Sequence, residues 1–283
     1  MPFGVFTVST PDYEPLPLLD RLADLGYDGV EWRVIDRDTG DRSAPSFWSG
    51  NRTSMTPAEL LDAAPAIRER ADALGLAMPS IGSYVGNESP DAVEPYCRAA
   101  QAIGAVNVRV GPGGYDAEGR YLDQVTAARA RYAALEPLAE RYGGRLCVET
   151  HGGQLGPSVT KALRLLDGLD PARFGILWDP GNQVGEGLER YDMALDALGS
   201  YLAEVHVKNR RPLPTERAED GHLGWTVETC ALRDGMVPWP EVVALLRARG
   251  YDGWLVFEDF STDLPLDERL ADNLAWFRAL QGD

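Results

Sequence analysis

The sequence has few cysteines and lacks both a long apolar run and a leader-like amino terminus. Its 283 residues include three cysteines, Cys97, Cys147 and Cys230, and no two of them form a CxxC pair. We therefore expect neither a disulfide framework nor a zinc knuckle, and reduced, structural thiols. No apolar stretch is long enough to cross a bilayer, and no basic segment with a long apolar one opens the chain. These absences predict a cytoplasmic protein without a membrane partner.

Basic residues are also few relative to acidic residues. The chain has 27 Lys and Arg residues against 44 Asp and Glu residues, and its formal net charge is −17. So acidic a surface repels phosphate backbones and lipid headgroups, and we expect no nucleic-acid partner. An acidic pocket suits a divalent cation, but acidic surfaces also serve solubility, so the charge alone discriminates weakly.

The remaining composition is that of an ordinary globular protein. Hydrophobic residues make up 44% of the chain and charged residues 25%, which is far from the disordered and membrane classes. A single α/β barrel usually occupies ~250 residues. Length therefore requires no second domain, and we predict one domain over residues 1–283, with a homo-oligomer left open.

A strand-like run followed by a helix-like run recurs along the chain, as in a β/α repeat. Glycines that could end helices in a left-handed cap precede several strands: Gly26, Gly75, Gly104 and Gly250. A doubly wound open sheet is the rival topology, but no GxGxxG turn follows the first strand. We therefore predict an eight-stranded (β/α)8 TIM barrel. Its strands are expected at Phe3 to Ser9, Gly29 to Val34, Ala77 to Ser83, Asn107 to Gly111, Arg145 to His151, Phe174 to Asp179, Tyr201 to Asn209 and Trp254 to Asp259.

Two connections, after strands two and seven, are too long for simple turns. They run from about Ile35 to Thr56 and from about Arg210 to Pro238. Both follow strands and so lie at the carboxyl-end face, where barrel enzymes keep their sites. We interpret them as a potential lid. Trp48 and Trp225 could stack on a sugar there or anchor the loops.

Ionisable residues end the last four predicted strands, each directly after an apolar run. Because the carboxyl ends of barrel strands meet at one face, these side chains should converge. Buried carboxylates repel one another unless a cation is present. Three oxygens and one nitrogen suit manganese, magnesium or cobalt, so we predict one divalent metal ion. The predicted ligands are Glu149, Asp179, His206 and Glu258.

The alternative is that each residue is a separate polar cap at a strand end. For any single residue that interpretation is the better one. Four such residues on four consecutive strands, all at one end, make coincidence the poorer explanation.

At these residues the chain resembles the xylose-isomerase-like barrel superfamily of sugar and sugar-phosphate isomerases and epimerases. The resemblance covers essentially the whole chain. It is carried by Gly26-Tyr-Asp-Gly-Val-Glu31, Glu149-Thr-His-Gly-Gly, Trp178-Asp-Pro-Gly-Asn182, His206-Val-Lys208 and Gly250-Tyr-Asp-Gly-Trp-Leu-Val-Phe-Glu258.

The resemblance implies that Glu149, Asp179, His206 and Glu258 hold the metal. It also implies that the two glutamates exchange protons with the substrate in epimerase members. The chain departs from the pattern at two positions. Asn182 stands where several epimerases have histidine, and Asn209 follows the lysine where many members have aspartate.

We hypothesise metal-assisted proton transfer on a small carbohydrate-like carbonyl compound, with Glu149 and Glu258 as catalytic acid and base. Inward alternation on strand two places Glu31 and Arg33 together, where they could pair or bind substrate, and places Trp32 in the core. The predicted substrate-binding residues are Glu31, His151, Asn182, Lys208 and Arg210.

Three other functions remain open. A lyase or dehydratase acting on a cyclitol, a keto acid or an oxidised C-glycoside would begin with the same proton removal. A barrel endonuclease would need more histidine than the three present and a basic surface. A non-catalytic sugar-binding barrel would hold metal without turnover.

Overall fold

A computed structural model of the protein, which describes residues 1–37 and 40–282, contains a closed barrel of eight parallel strands. The barrel strands are β1 (Phe3–Phe6), β2 (Gly29–Val34), β3 (Ser80–Ser83), β4 (Asn107–Arg109), β5 (Arg145–Glu149), β6 (Phe174–Trp178), β7 (Leu202–Val207) and β10 (Leu255–Phe257). Around the barrel they follow the order β1, β10, β7, β6, β5, β4, β3, β2. This confirms the predicted TIM barrel.

Helices connect the strands and cover the barrel. Several of them end at a glycine in the left-handed conformation, as expected from the sequence. None of the helices within the described ranges is long and apolar enough to span a membrane. They are α1 (Pro15–Leu25), α2 (Pro57–Leu74), α3 (Pro90–Ile103), α4 (Tyr121–Tyr142), α5 (Val159–Leu166), α6 (Pro180–Gln183), α7 (Tyr191–Leu198), α8 (Trp239–Ala248) and α9 (Leu266–Gln281), with 3-10 turns at Thr7–Ser9 and Gly199–Tyr201.

The main hydrophobic core lies between the strands and the helices. Outward side chains of β2 belong to it, including Trp32, which is fully buried as predicted. All three cysteines are buried and unpaired. Much of the barrel interior is polar instead. His206 on β7 contacts Glu31 on β2, and those strands are not neighbours, so the contact crosses the interior.

The second long connection differs from the expected loop, because it contains an antiparallel hairpin of β8 (Arg210–Arg217) and β9 (Leu223–Thr229). Pro212 and Pro214 lie within β8 and argue against a strand in the sequence, since proline cannot donate to a ladder. A two-stranded ribbon tolerates them because it has free edges. The first strand also ends early, at Phe6, where a 3-10 turn begins.

The first long connection has no helix or strand of its own among its described residues. Residues 38 and 39 of this predicted connection lie outside the described part of the chain. Asn51 lies deep in it and donates hydrogen bonds to the carbonyls of Thr7 and Val8. The connection is thereby fixed to the end of β1, beside the barrel mouth.

Gly82 on β3 allows the interior groups to approach one another closely. It pairs in register with Arg33 of β2. A β carbon at position 82 would overlap the ring of Phe6 and lie 2.8 Å from Oε1 of Glu31. A side chain here would displace two groups that border the polar interior.

We expect Gly82→Ala to lower the free energy of unfolding by about 1–3 kcal/mol, since overpacking a filled interior has costs of that size. Gly111→Ala is the matched control, because the nearest atom to its added β carbon lies at 3.6 Å. Urea unfolding of both variants measures the difference. Equal stability of the two variants would contradict the close packing at Gly82.

Candidate metal centre

The four predicted metal ligands converge at one end of the barrel. Glu149 is the last residue of β5 and His206 lies in β7, while Asp179 and Glu258 directly follow β6 and β10. These four strands are consecutive around the barrel. One potential ligand atom from each residue lies within 4.8 Å of the others, and all four residues are buried.

The donor set fits a divalent ion. It comprises three carboxylates and an imidazole, which suit a hard or borderline metal. Two of its atoms, Asp179 Oδ2 and His206 Nδ1, are buried and form no hydrogen bond of good geometry in the part of the chain that the structure describes. Each has an ion-pair contact instead, Asp179 with Lys208 and His206 with Glu149, so both atoms keep lone-pair capacity that is consistent with ligation.

A short turn after β6 fixes Asp179. Its Oδ1 accepts a hydrogen bond from the backbone amide of Asn182 at 2.9 Å and caps α6. Its own amide donates to Oγ1 of Thr150 at 2.8 Å. A β carbon on Gly181 would lie 2.8 Å from the carbonyl oxygen of Lys208. The Asp-Pro-Gly-Asn sequence therefore holds one carboxylate oxygen in the cap and turns the other toward the cluster.

Two buried cations balance the carboxylates. Arg109 Nη1 lies 2.6 Å from Oε2 of Glu149. Lys208 Nζ lies 2.8 Å from Oδ2 of Asp179 and also forms an ion pair with Oε2 of Glu258. Burial alone would lower the pKa of Lys208, but Asp179 and Glu258 raise it above its ordinary value, so the ammonium stays charged.

The same cations also shift the pKa values of the carboxyl groups. Burial by itself would raise the pKa of Glu149, but Arg109 and His206 hold it well below its usual range. For Asp179 the balance is reversed, because burial raises its pKa more than Lys208 lowers it. Glu149 is consequently the more strongly ionised of the two carboxyl groups.

His206 lies between two layers of carboxylates. Its Nδ1 lies 3.4 Å from Oε1 of Glu149, and its Nε2 lies 3.0 Å from Oε2 of Glu31 and 3.7 Å from Oε1 of Glu204. Burial would lower the pKa of His206, but these carboxylates raise it well above its ordinary value. Burial also raises the pKa of Glu31 to about 7. One ring nitrogen thus faces the four-residue cluster, and the other faces the deeper pair.

The predicted substrate-binding residues occupy different places. Lys208 lies in the cluster, and Nδ2 of Asn182 donates to Oε1 of Glu149 at 3.2 Å. His151 is half-buried, with Nδ1 2.8 Å from the carbonyl oxygen of Gly152. Arg210 lies at the base of the hairpin and donates from Nη2 to the carbonyl of Val227.

Glu31 is fully buried, and its observed contact is with His206. The alternative pairing of Glu31 with Arg33 is absent among the described residues, since Arg33 bonds to Ser54 instead. Whether any of these side chains contacts a substrate stays a prediction.

Two polar residues of the site, Arg109 and Glu204, were not predicted from the sequence. Arg109 is the last residue of the short strand β4. An ionisable residue at the end of a strand is the signal that identified the metal ligands, and the same signal could have identified Arg109. Glu204 is fully buried within β7, where it accepts hydrogen bonds from Ser80 and Asn107 across the interior. Its position two residues before His206 on the same strand face was the available signal.

Comparison with known proteins shows which family this chain resembles. The family model for the xylose isomerase-like TIM barrel matches residues 19–280. Inosose dehydratase of Bacillus anthracis is 30% identical over 132 residues, which are 44% of this chain and 43% of that protein. The matched segment thus spans less than half the length of this curated relative.

Solved structures agree on the fold. The 3-keto-D-glucoside 4-epimerase of E. coli superposes with a TM-score of 0.73 at 15% identity, covering 99% of each chain. A xylose isomerase-like TIM barrel protein of Mycobacterium smegmatis in complex with magnesium gives a TM-score of 0.68 at 17% identity, covering 99% of this chain and 96% of that one.

We expect Asp179→Asn and Glu258→Gln each to weaken binding of Mn²⁺ at least about tenfold, since each removes an anionic ligand. Asp259→Asn is the matched control. Asp259 is also buried, but its oxygens accept hydrogen bonds from Ser261 and Asn273 outside the cluster. Elemental analysis and calorimetric titration measure the bound metal. Equal losses in all three variants would contradict the assignment.

Metal affinity should rise with pH. The raised pKa of His206 keeps its imidazole protonated at neutral pH in the metal-free protein, and a metal ligand must lose that proton. Affinity should therefore increase by up to about tenfold per pH unit below this pKa. Calorimetry in buffers of different ionisation enthalpy counts the released protons. An affinity independent of pH would exclude His206 as a ligand.

Proposed function

We propose that this chain, which belongs to the xylose isomerase-like TIM barrel family, is a divalent-metal-dependent isomerase or epimerase of a sugar or related polyhydroxy carbonyl compound. The supporting observation is the placement of Glu149 and Glu258. They lie at the two ends of the four-strand arc that carries the cluster, with Asp179 and His206 between them. Two carboxylates that flank one centre can address opposite faces of a substrate carbon.

The ligand set proposed for the ion is Glu149, Asp179, His206 and Glu258. When bound, a divalent ion of this kind acts as a Lewis acid that polarises a substrate carbonyl and stabilises developing negative charge. The preferred ions are Mn²⁺, Mg²⁺ and Co²⁺.

Glu149 is the proposed base. Its low pKa keeps it ionised at neutral pH, so one of its oxygens can accept the proton from the carbon beside the carbonyl. The electron pair of that C–H bond forms the carbon–carbon double bond of an enediolate, and the π pair of the carbonyl group moves onto its oxygen. Arg109 holds the carboxylate in place through the 2.6 Å contact.

Glu258 is the proposed acid on the other face, where it can pass on a proton that it receives from the ammonium of Lys208 beside it. A proton returned to the same carbon from that face inverts its configuration, which is epimerisation. A proton returned to the neighbouring carbon gives isomerisation. The ammonium of Lys208 can donate a hydrogen bond to a substrate oxygen where negative charge develops.

Dehydration is the second candidate. Lys208 carries a proton beside Glu258, so the pair could protonate a hydroxyl group as it leaves the carbon next to the enediolate. Similarity to a protein named inosose dehydratase favours this alternative. The two reactions share the first proton removal and differ in the fate of the enediolate.

We expect the Mn²⁺-loaded protein to exchange a carbon-bound hydrogen of a ketose or inosose for solvent deuterium, and Glu149→Gln to reduce that rate at least about a hundredfold, in the range for losing a general base. Proton NMR follows the exchange. Glu228→Gln is the control, since Glu228 pairs with Arg211 on the exposed hairpin.

The same spectra distinguish the reactions, because an epimer or isomer keeps its hydroxyl groups while dehydration yields an unsaturated product. Absence of exchange in the metal-loaded wild type across ketoses and inososes would refute the proposed chemistry.

A further inference from the structure

Arg33 is a buried guanidinium without a carboxylate partner among the described residues. Its side chain is 6% exposed. The one hydrogen bond found for that side chain in residues 1–37 and 40–282 runs from Nη1 to Oγ of Ser54 at 2.9 Å, and Nε is buried without a partner. A buried charge is costly unless it is paired. An uncharged hydroxyl group offsets little of that cost.

The other buried cations near the mouth are better satisfied. Arg109 pairs with Glu149, and Lys208 pairs with two carboxylates. Arg269 donates to the carbonyl oxygens of Ser261 and Ser9. Arg33 therefore stands apart as a strong donor group whose potential hydrogen bonds are mostly unused.

The surroundings of Arg33 open toward solvent. Its Cζ lies 5.3 Å from the ring centre of Tyr84 and 5.9 Å from that of Trp48. Those side chains are 47% and 56% exposed. Aromatic faces attract a cation but leave its in-plane N–H groups free to bind an anion. Arg33 thus lies directly beneath two partly exposed aromatic side chains.

The Tyr84 ring also borders the candidate metal centre. Arg109 Cζ lies 4.4 Å from the ring centre of Tyr84 on which Arg33 also rests, and Arg109 pairs with Glu149. The two guanidinium groups therefore flank one aromatic ring. Gly82, in register with Arg33, adds no side chain between them.

We propose that Arg33 binds an anionic group of the substrate, a carboxylate or a phosphate, at the end away from the reacting carbon. This inference rests on the proposed function, since it specifies the substrate of the same site. A guanidinium fork matches both groups in geometry and charge.

Local charge supports an anionic ligand despite the net charge of −17. The carboxylates of the four-residue cluster and of the deeper pair face Arg109, Lys208 and His206. Arg33 adds a positive charge that has no carboxylate partner among the described residues. A charge so placed can attract an anion locally, even on an acidic protein.

The test is calorimetric titration of the Mg²⁺-loaded protein with D-fructuronate, D-fructose and D-fructose 6-phosphate. The first two differ at C6, where a carboxylate replaces a hydroxymethyl group, and the third carries a phosphate there. The variants are Arg33→Gln, Arg33→Lys and the control Arg68→Gln. Arg68 is an exposed residue of α2, so its substitution removes the same charge from the protein surface. Thermal unfolding verifies that each variant is folded.

We expect wild type to bind one of the anionic ligands at least about tenfold more tightly than fructose, in keeping with a charged hydrogen bond. Arg33→Gln should abolish that preference and leave fructose binding unchanged, while Arg33→Lys retains part of it and Arg68→Gln all of it. The preferred ligand identifies the group as carboxylate or phosphate. Equal affinities in wild type, absence of binding included, or equal losses for all ligands in Arg33→Gln would overturn the inference.

Proton exchange is measured separately on the same proteins. An Arg33-dependent preference without any exchange would keep the anion site and reject the proposed reaction. Exchange without an Arg33-dependent preference would keep the reaction and reject the anion site.

Discussion

Burial of three carboxylates at one end of the barrel is the constraint on which the site depends. Glu149, Asp179 and Glu258 offer oxygens within 4.8 Å of one another, and like charges at such distances in a poorly solvated interior raise each other's pKa. Positive charge must therefore be supplied nearby. Arg109 and Lys208 supply part of it from within the chain, which keeps the carboxylates close together in a form that a divalent ion can use.

A second layer supports the first. Glu31 and Glu204 lie on the far side of the His206 ring from the cluster and face its Nε2. A carboxylate that accepts the proton of one imidazole nitrogen leaves the other nitrogen available as a metal ligand, and it fixes the orientation of the ring. Ser80 and Asn107 in turn donate to Glu204. The polar interior thus extends below the cluster as a connected network that fixes the orientation of His206.

The fold and the four-residue cluster were accessible from the sequence because each rests on local signals. Apolar runs marked the strands, and Glu149, Asp179 and Glu258 stand directly at the end of such a run. Cross-barrel partners were not accessible. Glu31 and His206 are 175 positions apart, and alternation on a strand indicates which way Glu31 points but not which residue it meets. Pro212 and Pro214 argued against a hairpin in the sequence, since proline is disfavoured within sheets except at places such as a free edge.

The division between strands and loops explains why chemistry is easier to infer than substrate in this chain. The cluster residues lie in or directly after barrel strands, whose backbone pairing holds them rigidly. Their positions can therefore be inferred once the barrel is predicted. Trp48, Tyr84 and the hairpin project from connections whose lengths the barrel does not determine, and it is on such connections that enzymes commonly carry the residues that select a substrate. Arg33 lies at the boundary between the two. It is positioned by β2 like the cluster, yet it faces the aromatic side chains of the loops, and a charge so placed can link a rigid reacting centre to the choice of substrate.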